Sequence, residues 1–332
     1  MTSAKKPSAS CVSAHLTFHK AVTPMAWVDC TASRETNLTM ARLAFLGTPD
    51  VAVLTLEGLH NAGHEIALVV SQPDVRRSRG GTLQPSPVKA AALSLGLEVT
   101  DDLDKLNDVA LDGVIVVAYG KIIPDDLLNK FLMINIHFSL LPRWRGAAPL
   151  ERALLAGDPT TGVCVMKIVS ELDAGPVYAR ADLEIGEKSL EELRSELGVI
   201  GTALVVDLLE DGLESLPEPT TQTGEVVYAA KMKKDEFLLD FTQPAAHVLR
   251  VIRLGSSFTF IENRRLRILS ATLVPEYSGS PGELVGEVVG TGQGGLRLER
   301  VQGEGGREME ASAWRRGVRD QGILRLGATQ GP

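Results

Sequence analysis

The chain has 332 residues, enough for two ordinary domains, and its 44% apolar content excludes a disordered chain. No apolar run approaches the roughly 20 residues that span a bilayer, and three cysteines (Cys11, Cys30, Cys164) without CxxC spacing exclude a disulfide framework or a zinc cluster. A net charge of −8 argues against a general nucleic-acid binder but leaves room for a local basic face.

Residues 1–39 show no apolar period. Lys5 and Lys6 precede no apolar stretch long enough for a secretory signal, so the segment reads as a disordered tail or an upstream start chosen in error. The globular pattern begins at Met40. A short apolar run at 43–46 ends in Gly47-Thr48-Pro49-Asp50, which predicts a buried strand, a turn and a helix over 51–62. A second strand is expected over 66–71 and a helix over 87–95, ended by Gly96. Further strands are expected over 114–118 and 133–136, and a long helix over 189–210. Apolar strands alternating with helices predict a mostly parallel, Rossmann-like α/β sheet covered on both faces, spanning residues 40–215.

A Pro- and Thr-rich stretch over 216–225 has no period and reads as a linker. Beyond it, short alternating runs over 258–261, 266–273, 285–289 and 296–301 predict a small all-β barrel filling 226–325. Gly290-Thr-Gly-Gln-Gly-Gly295 matches G-x-G-x-x-G but no helix is expected after it, so it reads as a hairpin or loop and not as a nucleotide fingerprint. Charge is uneven. Residues 187–218 hold nine acidic and two basic side chains, whereas 226–270 hold eight basic and four acidic ones. A basic second domain on an acidic protein suits a polyanionic partner touching that domain, with Lys233, Arg264 and Arg265 as candidate contacts. Arg76, Arg77 and Arg79 form a second basic group, in a loop that reads either as a solvated turn or as an arm that contacts phosphates.

Asn135 and His137 close the fourth strand. Residues two apart on a strand face one way, so both project from a carboxyl end, where open α/β sheets place their ligands. The loop that follows carries Pro142, Arg143, Trp144, Arg145, Gly146 and Pro149. Alone it reads equally as a surface loop with one satisfied histidine. Asp173 sits at a Gly/Pro turn and alone reads as an ordinary Asx-turn. Together the three suit attack of an amine on a formyl carbon. An amide and an imidazole donate to the oxygen that gains charge, and a carboxylate pairs with the imidazole and relays the amine proton.

These motifs are shared with a known family. Gly47-Thr-Pro-Asp50, Gln72-Pro-Asp74, Arg79-Gly80, Pro85-Ser-Pro-Val-Lys89, Ala118-Tyr-Gly120, Asn135-Ile-His137, Ser139-Leu-Leu-Pro142, Arg143-Trp-Arg-Gly-Ala-Ala-Pro149 and Leu172-Asp-Ala-Gly175 closely resemble the folate-dependent formyltransferases, in particular the branch acting on methionyl-tRNA. The resemblance covers about residues 41–325. It implies catalytic Asn135, His137 and Asp173, and a folate site lined by Ser139, Leu140, Leu141 and Pro142. It further implies 10-formyltetrahydrofolate as co-substrate, initiator methionyl-tRNA as partner, an OB-like second domain that helps hold tRNA, and no metal. A monomeric cytoplasmic enzyme is the expectation. Two positions depart from the pattern: Arg253-Leu-Gly-Ser-Ser257 stands where relatives carry a Pro-rich turn, and Val75 stands where a basic residue is expected. A nicotinamide dehydrogenase is disfavoured by the single glycine of the first turn. A purely RNA-binding module leaves the Asn-His-Asp set unexplained, and a formyltransferase for small amines leaves the basic loop unexplained.

Overall fold

The computed structural model describes residues 40–76, 82–318 and 323–327, so the segment 1–39 and Arg77 and Arg79 lie outside the described residues. The first domain is built on a seven-stranded sheet in the order β10-β9-β7-β6-β1-β2-β5. Its chain order is β1 (Arg42–Gly47), α1 (Asp50–Asn61), β2 (Glu65–Val70), the short hairpin β3 (Val75–Arg76) and β4 (Leu83–Gln84), then α2 (Pro87–Ser94) and β5 (Val99–Thr100). It continues through β6 (Gly113–Val117), α3 (Asp125–Lys130), β7 (Met133–His137), β8 (Arg143–Gly146), α4 (Pro149–Ala156), β9 (Thr160–Lys167), β10 (Val177–Glu184) and α5 (Leu190–Leu209). The strands from β7 to β5 are parallel, and β9 and β10 are antiparallel additions at one edge.

Strand alternation explains why these runs are apolar throughout. Leu43, Phe45, Ile115, Val117, Ile134 and Ile136 face one core, packed by α1 and α5. Ala44, Leu46, Val114, Val116 and Met133 face the other, packed by Leu106 and by Leu127 of α3. Both faces are buried, so the strand interiors are almost wholly apolar, with Asn135 of β7 a half-buried exception. Each fully buried Leu, Ile or Phe contributes on the order of 1.5–3 kcal/mol. α5 begins with a reciprocal cap: Ser189 accepts from the Glu192 amide while the Glu192 carboxylate accepts from the Ser189 amide.

Residues 216–225 contain no helix or multi-residue strand, yet they are stitched to the first domain. Thr220 and Val177 exchange two backbone hydrogen bonds of 2.8 Å. β11 (Val227–Ala229) then runs parallel to β8.

The second domain holds α6 (Ala245–Arg253), β12 (Phe258–Ile261), β13 (Arg264–Val274), β14 (Glu283–Val285), β15 (Val288–Gly290), β16 (Gly295–Gly303), β17 (Glu308–Glu310), α7 (Ala311–Gly317) and β18 (Leu324–Arg325). Its sheet runs β12-β13-β16-β15-β14-β18, with β17 beside β16. The Gly327 amide donates to the Phe260 carbonyl at 3.1 Å, which brings the last strand back to the first and nearly closes a barrel. The expected barrel is therefore present. It carries two helices that the strand-period reading does not place, and α6 buries Ala245, Val248, Val251 and Ile252 against the barrel core. The run 285–289, expected as one strand, is split into β14 and β15, because Gly286 turns the chain at φ 60°. The Gly290–Gly295 segment joins β15 to β16 as a hairpin, and Thr291 donates to the carbonyls of Gln293 and Gly294. Arg253 reaches across the domain junction and donates to the carbonyls of Gly186 and Lys188 at 2.8 Å. Arg250 does the same to Leu155 at 3.0 Å.

Candidate active site

The parallel strands end together at one edge, and three of these ends are tied to one another. The Tyr119 carbonyl, just past β6, accepts from Thr48 Oγ1 after β1 and from Gln72 Nε2 after β2, both at 3.1 Å. The side chains of Thr48 and Gln72 thus tie three neighbouring strand ends together. The base of the basic loop is fixed as well. Lys89 Nζ lies 2.7 Å from Asp74, Ser86 caps α2, and Ser71 and Ser86 share a hydrogen bond of 2.6 Å. A cavity of about 260 Å³ lies at this edge between Thr48, Asp50, Gln72, Val75 and Ser86. A larger groove, about 1120 Å³, lies between the two domains along Asp50, Glu187, Arg253 and Leu273, and none of the three candidate catalytic residues lines it.

At the end of β7 the structure brings Asn135, His137 and Asp173 into one edge. His137 is 5% exposed. Its Nε2 lies 3.0 Å from the Trp144 carbonyl. A carbonyl only accepts, so Nε2 carries the proton there. Its Nδ1 lies 3.6 Å from Asp173 Oδ2, longer than a direct hydrogen bond. Asp173 Oδ2 is itself held, at 2.8 Å, by the backbone amide of Gly146. Asn135 is half-buried, and among the described residues its side-chain amide has no hydrogen-bond partner. It therefore offers a free donor to a bound group.

The backbone around these groups is unusual. Asp173 (φ 48°), Trp144 (φ 68°) and Ala118 (φ 46°) all occupy the left-handed region, at a cost of order 1–3 kcal/mol each. Such conformations persist where neighbours over-determine them. Gly175 is required by close approach, because a Cβ there would stand 1.7 Å from the Lys167 carbonyl oxygen. Gly146 (φ 119°) lies against the Ala229 carbonyl oxygen, which a Cβ would meet at 2.9 Å.

The two arginines and the tryptophan of the loop are fully engaged within the chain. Arg143 grips Asp158 with two hydrogen bonds, 2.9 and 2.8 Å, and stacks over the Trp144 ring. The Trp144 indole also donates to Asp158, at 2.8 Å. Arg145 is buried against Gln222 and Glu171. These residues fix the loop that offers the Trp144 carbonyl to His137.

The Ser-Leu-Leu-Pro run shapes the same turn. Ser139 is fully buried, and its hydroxyl donates to the Arg143 carbonyl at 2.7 Å. Leu141 is buried with Cys164 and Met166. Leu140 packs on Gly162, and Pro142 approaches Gly224. Burial pushes the Cys164 thiol up to about 11, so it acts as core and not as a nucleophile. Among the described residues no group of three or more His, Cys, Asp or Glu side chains is placed to hold a metal ion.

Of the expected polyanion contacts, Arg76 is exposed on β3. Lys233, Arg264 and Arg265 are exposed in the second domain, with Arg265 stacked 3.9 Å from the centre of the Phe258 ring. The residues that the sequence reading missed are Gln222, the Trp144 carbonyl and the Gly146 amide. Two of these act through the backbone and leave no side-chain signal.

An amide, an imidazole and a carboxylate converging at the carboxyl edge of an α/β sheet, without a reactive nucleophile nearby, suit direct acyl transfer. The family described as formyl transferase matches residues 41–206, and that described as formyl transferase, C-terminal domain, matches residues 231–319. The chain belongs to this formyltransferase family. A methionyl-tRNA formyltransferase of Jannaschia sp. is 41% identical over 295 residues, 84% of this chain and 97% of its own length. Among solved structures, HypX from Aquifex aeolicus in complex with tetrahydrofolic acid aligns with TM-score 0.60 and 18% identity over 83% of this chain, which spans 47% of that protein. The N-formyltransferase from Helicobacter canadensis, in complex with folinic acid and dTDP-3-aminofucose, aligns with TM-score 0.63 and 17% identity over 78% of this chain and 99% of its own. These two share the fold.

Proposed function

We propose that the chain transfers the formyl group of 10-formyltetrahydrofolate to the α-amino group of the methionine on initiator methionyl-tRNA, giving N-formylmethionyl-tRNA for translation initiation. One observation carries this reading. The 41% identity to a methionyl-tRNA formyltransferase extends through both domains, over 84% of this chain. Folate as the formyl carrier is supported by the tetrahydrofolic and folinic acids named with the two structures of the same fold. The free amide of Asn135 fits a group that presents an acceptor at that edge.

The geometry supports the following roles. The amine attacks the formyl carbon, and the carbonyl oxygen gains negative charge. The Asn135 amide donates to that oxygen. His137, its Nε2 fixed on the Trp144 carbonyl, presents Nδ1 to the space it shares with Asp173. The Asp173 carboxylate takes up the proton lost by the amine and passes it to the folate nitrogen, which leaves as the C–N bond of the tetrahedral intermediate breaks. Ser139, Leu140, Leu141 and Pro142 set the wall of the folate site through the path of their loop. Arg76, Arg77 and Arg79 in the first domain and Lys233, Arg264 and Arg265 in the second contact tRNA phosphates. The enzyme works as a cytoplasmic monomer without a metal. Among the described residues no helix is long and apolar enough to cross a membrane.

Transfer of labelled formyl from 10-formyltetrahydrofolate tests the reading with three acceptors: methionyl-tRNA, a nucleotide-linked amino sugar and water. Product on methionyl-tRNA alone is expected. Efficient transfer to the sugar amine with none to tRNA overturns it.

A further inference from the structure

Gln222 lies between the two domains, in the stretch that looks like a bare linker. Its side-chain amide is nevertheless fully committed. Oε1 accepts two hydrogen bonds from Arg145, at 3.1 Å from Nε and 2.8 Å from Nη2. Nε2 donates to the carbonyls of Asp173, at 2.7 Å, and Gly175, at 2.8 Å. Those two carbonyls belong to the turn that holds Asp173 in the left-handed region. Arg145 belongs to the loop whose Trp144 carbonyl and Gly146 amide hold His137 and Asp173. One side chain therefore joins the turn that carries Asp173 to the segment whose backbone holds His137 and Asp173.

We infer that Gln222 is a positioning residue for Asp173, setting its distance and direction to His137. The inference rests on the proposed role of Asp173. Anchoring of the connector does not require these bonds, because the Thr220–Val177 pair and the β11–β8 pairing already fix the chain on both sides. The residue type follows from the task. The site needs a double acceptor for a guanidinium and a double donor for two carbonyls on one short stem, and only a side-chain amide supplies both. A glutamate there keeps the acceptor and loses both donors. A methionine of similar length loses both functions.

Steady-state kinetics and melting temperatures of Gln222→Glu, Gln222→Met and Asp173→Asn separate the possibilities. In Gln222→Glu, Arg145 stays paired and the tethers to the 173 and 175 carbonyls are lost. Its kcat falls about 10- to 100-fold, because a small misplacement of a reacting group is costly. The Michaelis constants for both substrates stay within about twofold, and the melting temperature stays near the parent's. In Gln222→Met, kcat falls at least as far, and its pH–rate profile is displaced from the parent's because the Asp173–His137 pair is no longer held. Parental kcat in Gln222→Glu overturns the inference. So does recovery by Glu of all that Met loses, since pairing with Arg145 would then suffice. If both variants fail to fold, Gln222 is a structural brace and the inference is wrong. Asp173→Asn keeps the two failures apart: if it retains full activity, the reading of the site fails first, whereas an inactive Asp173→Asn beside a fully active Gln222→Glu sinks the positioning role alone.

Discussion

The loop at the end of β7 and the β12–β13 hairpin of the barrel both carry arginines, and they use them in opposite ways. Around the catalytic edge, Arg143, Arg145 and Arg152 are bound to carboxylates, to a side-chain amide or to backbone carbonyls of the same chain. On the barrel, Arg264 and Arg265 are exposed, and Arg265 rests on an aromatic ring. The lesson is that a basic motif in sequence does not declare its partner. Guanidinium groups with planar acceptors in the chain hold geometry. Those left on an exposed hairpin remain available to phosphate. The eight basic residues over 226–270 also divide this way, since Arg250 and Arg253 bind carbonyls of the first domain and Arg267 binds Gln302 and the Gly255 carbonyl.

The comparison is sharpened first where the largest effect is expected. Asn135→Ala should lower kcat by about 10²–10³, the typical cost of one oxyanion donor, with little change in melting temperature. Near-parental turnover would remove Asn135 from the chemistry and leave the edge with His137 and Asp173 alone. Asp158→Asn should lower kcat about tenfold through position, a milder loss than removing a reacting group. It weakens the hold on Arg143 and on the Trp144 indole, and so on the carbonyl that fixes His137. A rise in the Michaelis constant for tRNA with unchanged kcat would instead make Arg143 a substrate contact. Neutralising Arg264 and Arg265 should leave kcat nearly unchanged. It should weaken tRNA binding and flatten its salt dependence by somewhat under one log–log unit for each lost contact. Titrations at two salt concentrations measure this, and a loss confined to kcat would break the division between holding and binding.

The legible part of the fold was its apolar periodicity. The runs at 43–46, 114–118 and 133–136 are buried on both faces except at Ala118 and Asn135, and a parallel sheet leaves that mark because few polar groups are tolerated along it. α6 was missed although Ala245, Val248 and Ile252 follow a helical period after Pro244, because the neighbouring alternating runs set the expectation for the whole domain. The candidates Asn135 and His137 are legible from their shared strand face and from family motifs, and Asp173 from the family motif, since alone it reads as a turn residue. Gln222 is not. Its setting of prolines and threonines has no period, and its importance arises from a loop 47–49 residues away in sequence. Trp144 and Gly146 contribute a carbonyl and an amide, groups that every residue possesses. Only the fold says where they point.

The smallest effect concerns acid stability, and it too separates the two regions. Burial alone would push the Asp158 carboxyl up, but hydrogen bonds from Arg143 and Trp144, with the Arg143 charge, outweigh it and hold it below its ordinary value of 3.8. A carboxyl whose folded value lies below its unfolded one adds stability that is complete above the unfolded value. That contribution is lost as pH falls through the folded value. The melting temperature of the parent should therefore exceed that of Asp158→Asn by a constant margin from pH 7 down to about pH 4, and the margin should narrow below 3.8. On the barrel side, Asp240 is also lowered, by the Thr242 hydroxyl and amide, but it is exposed and solvent screens it. Asp240→Asn should show a smaller margin with the same direction of pH dependence. If the Asp158 margin already closes near pH 6, an ionisable group other than this carboxylate governs the loop. If the Asp240 margin is the larger, the catalytic edge is not the region where ion pairing holds geometry.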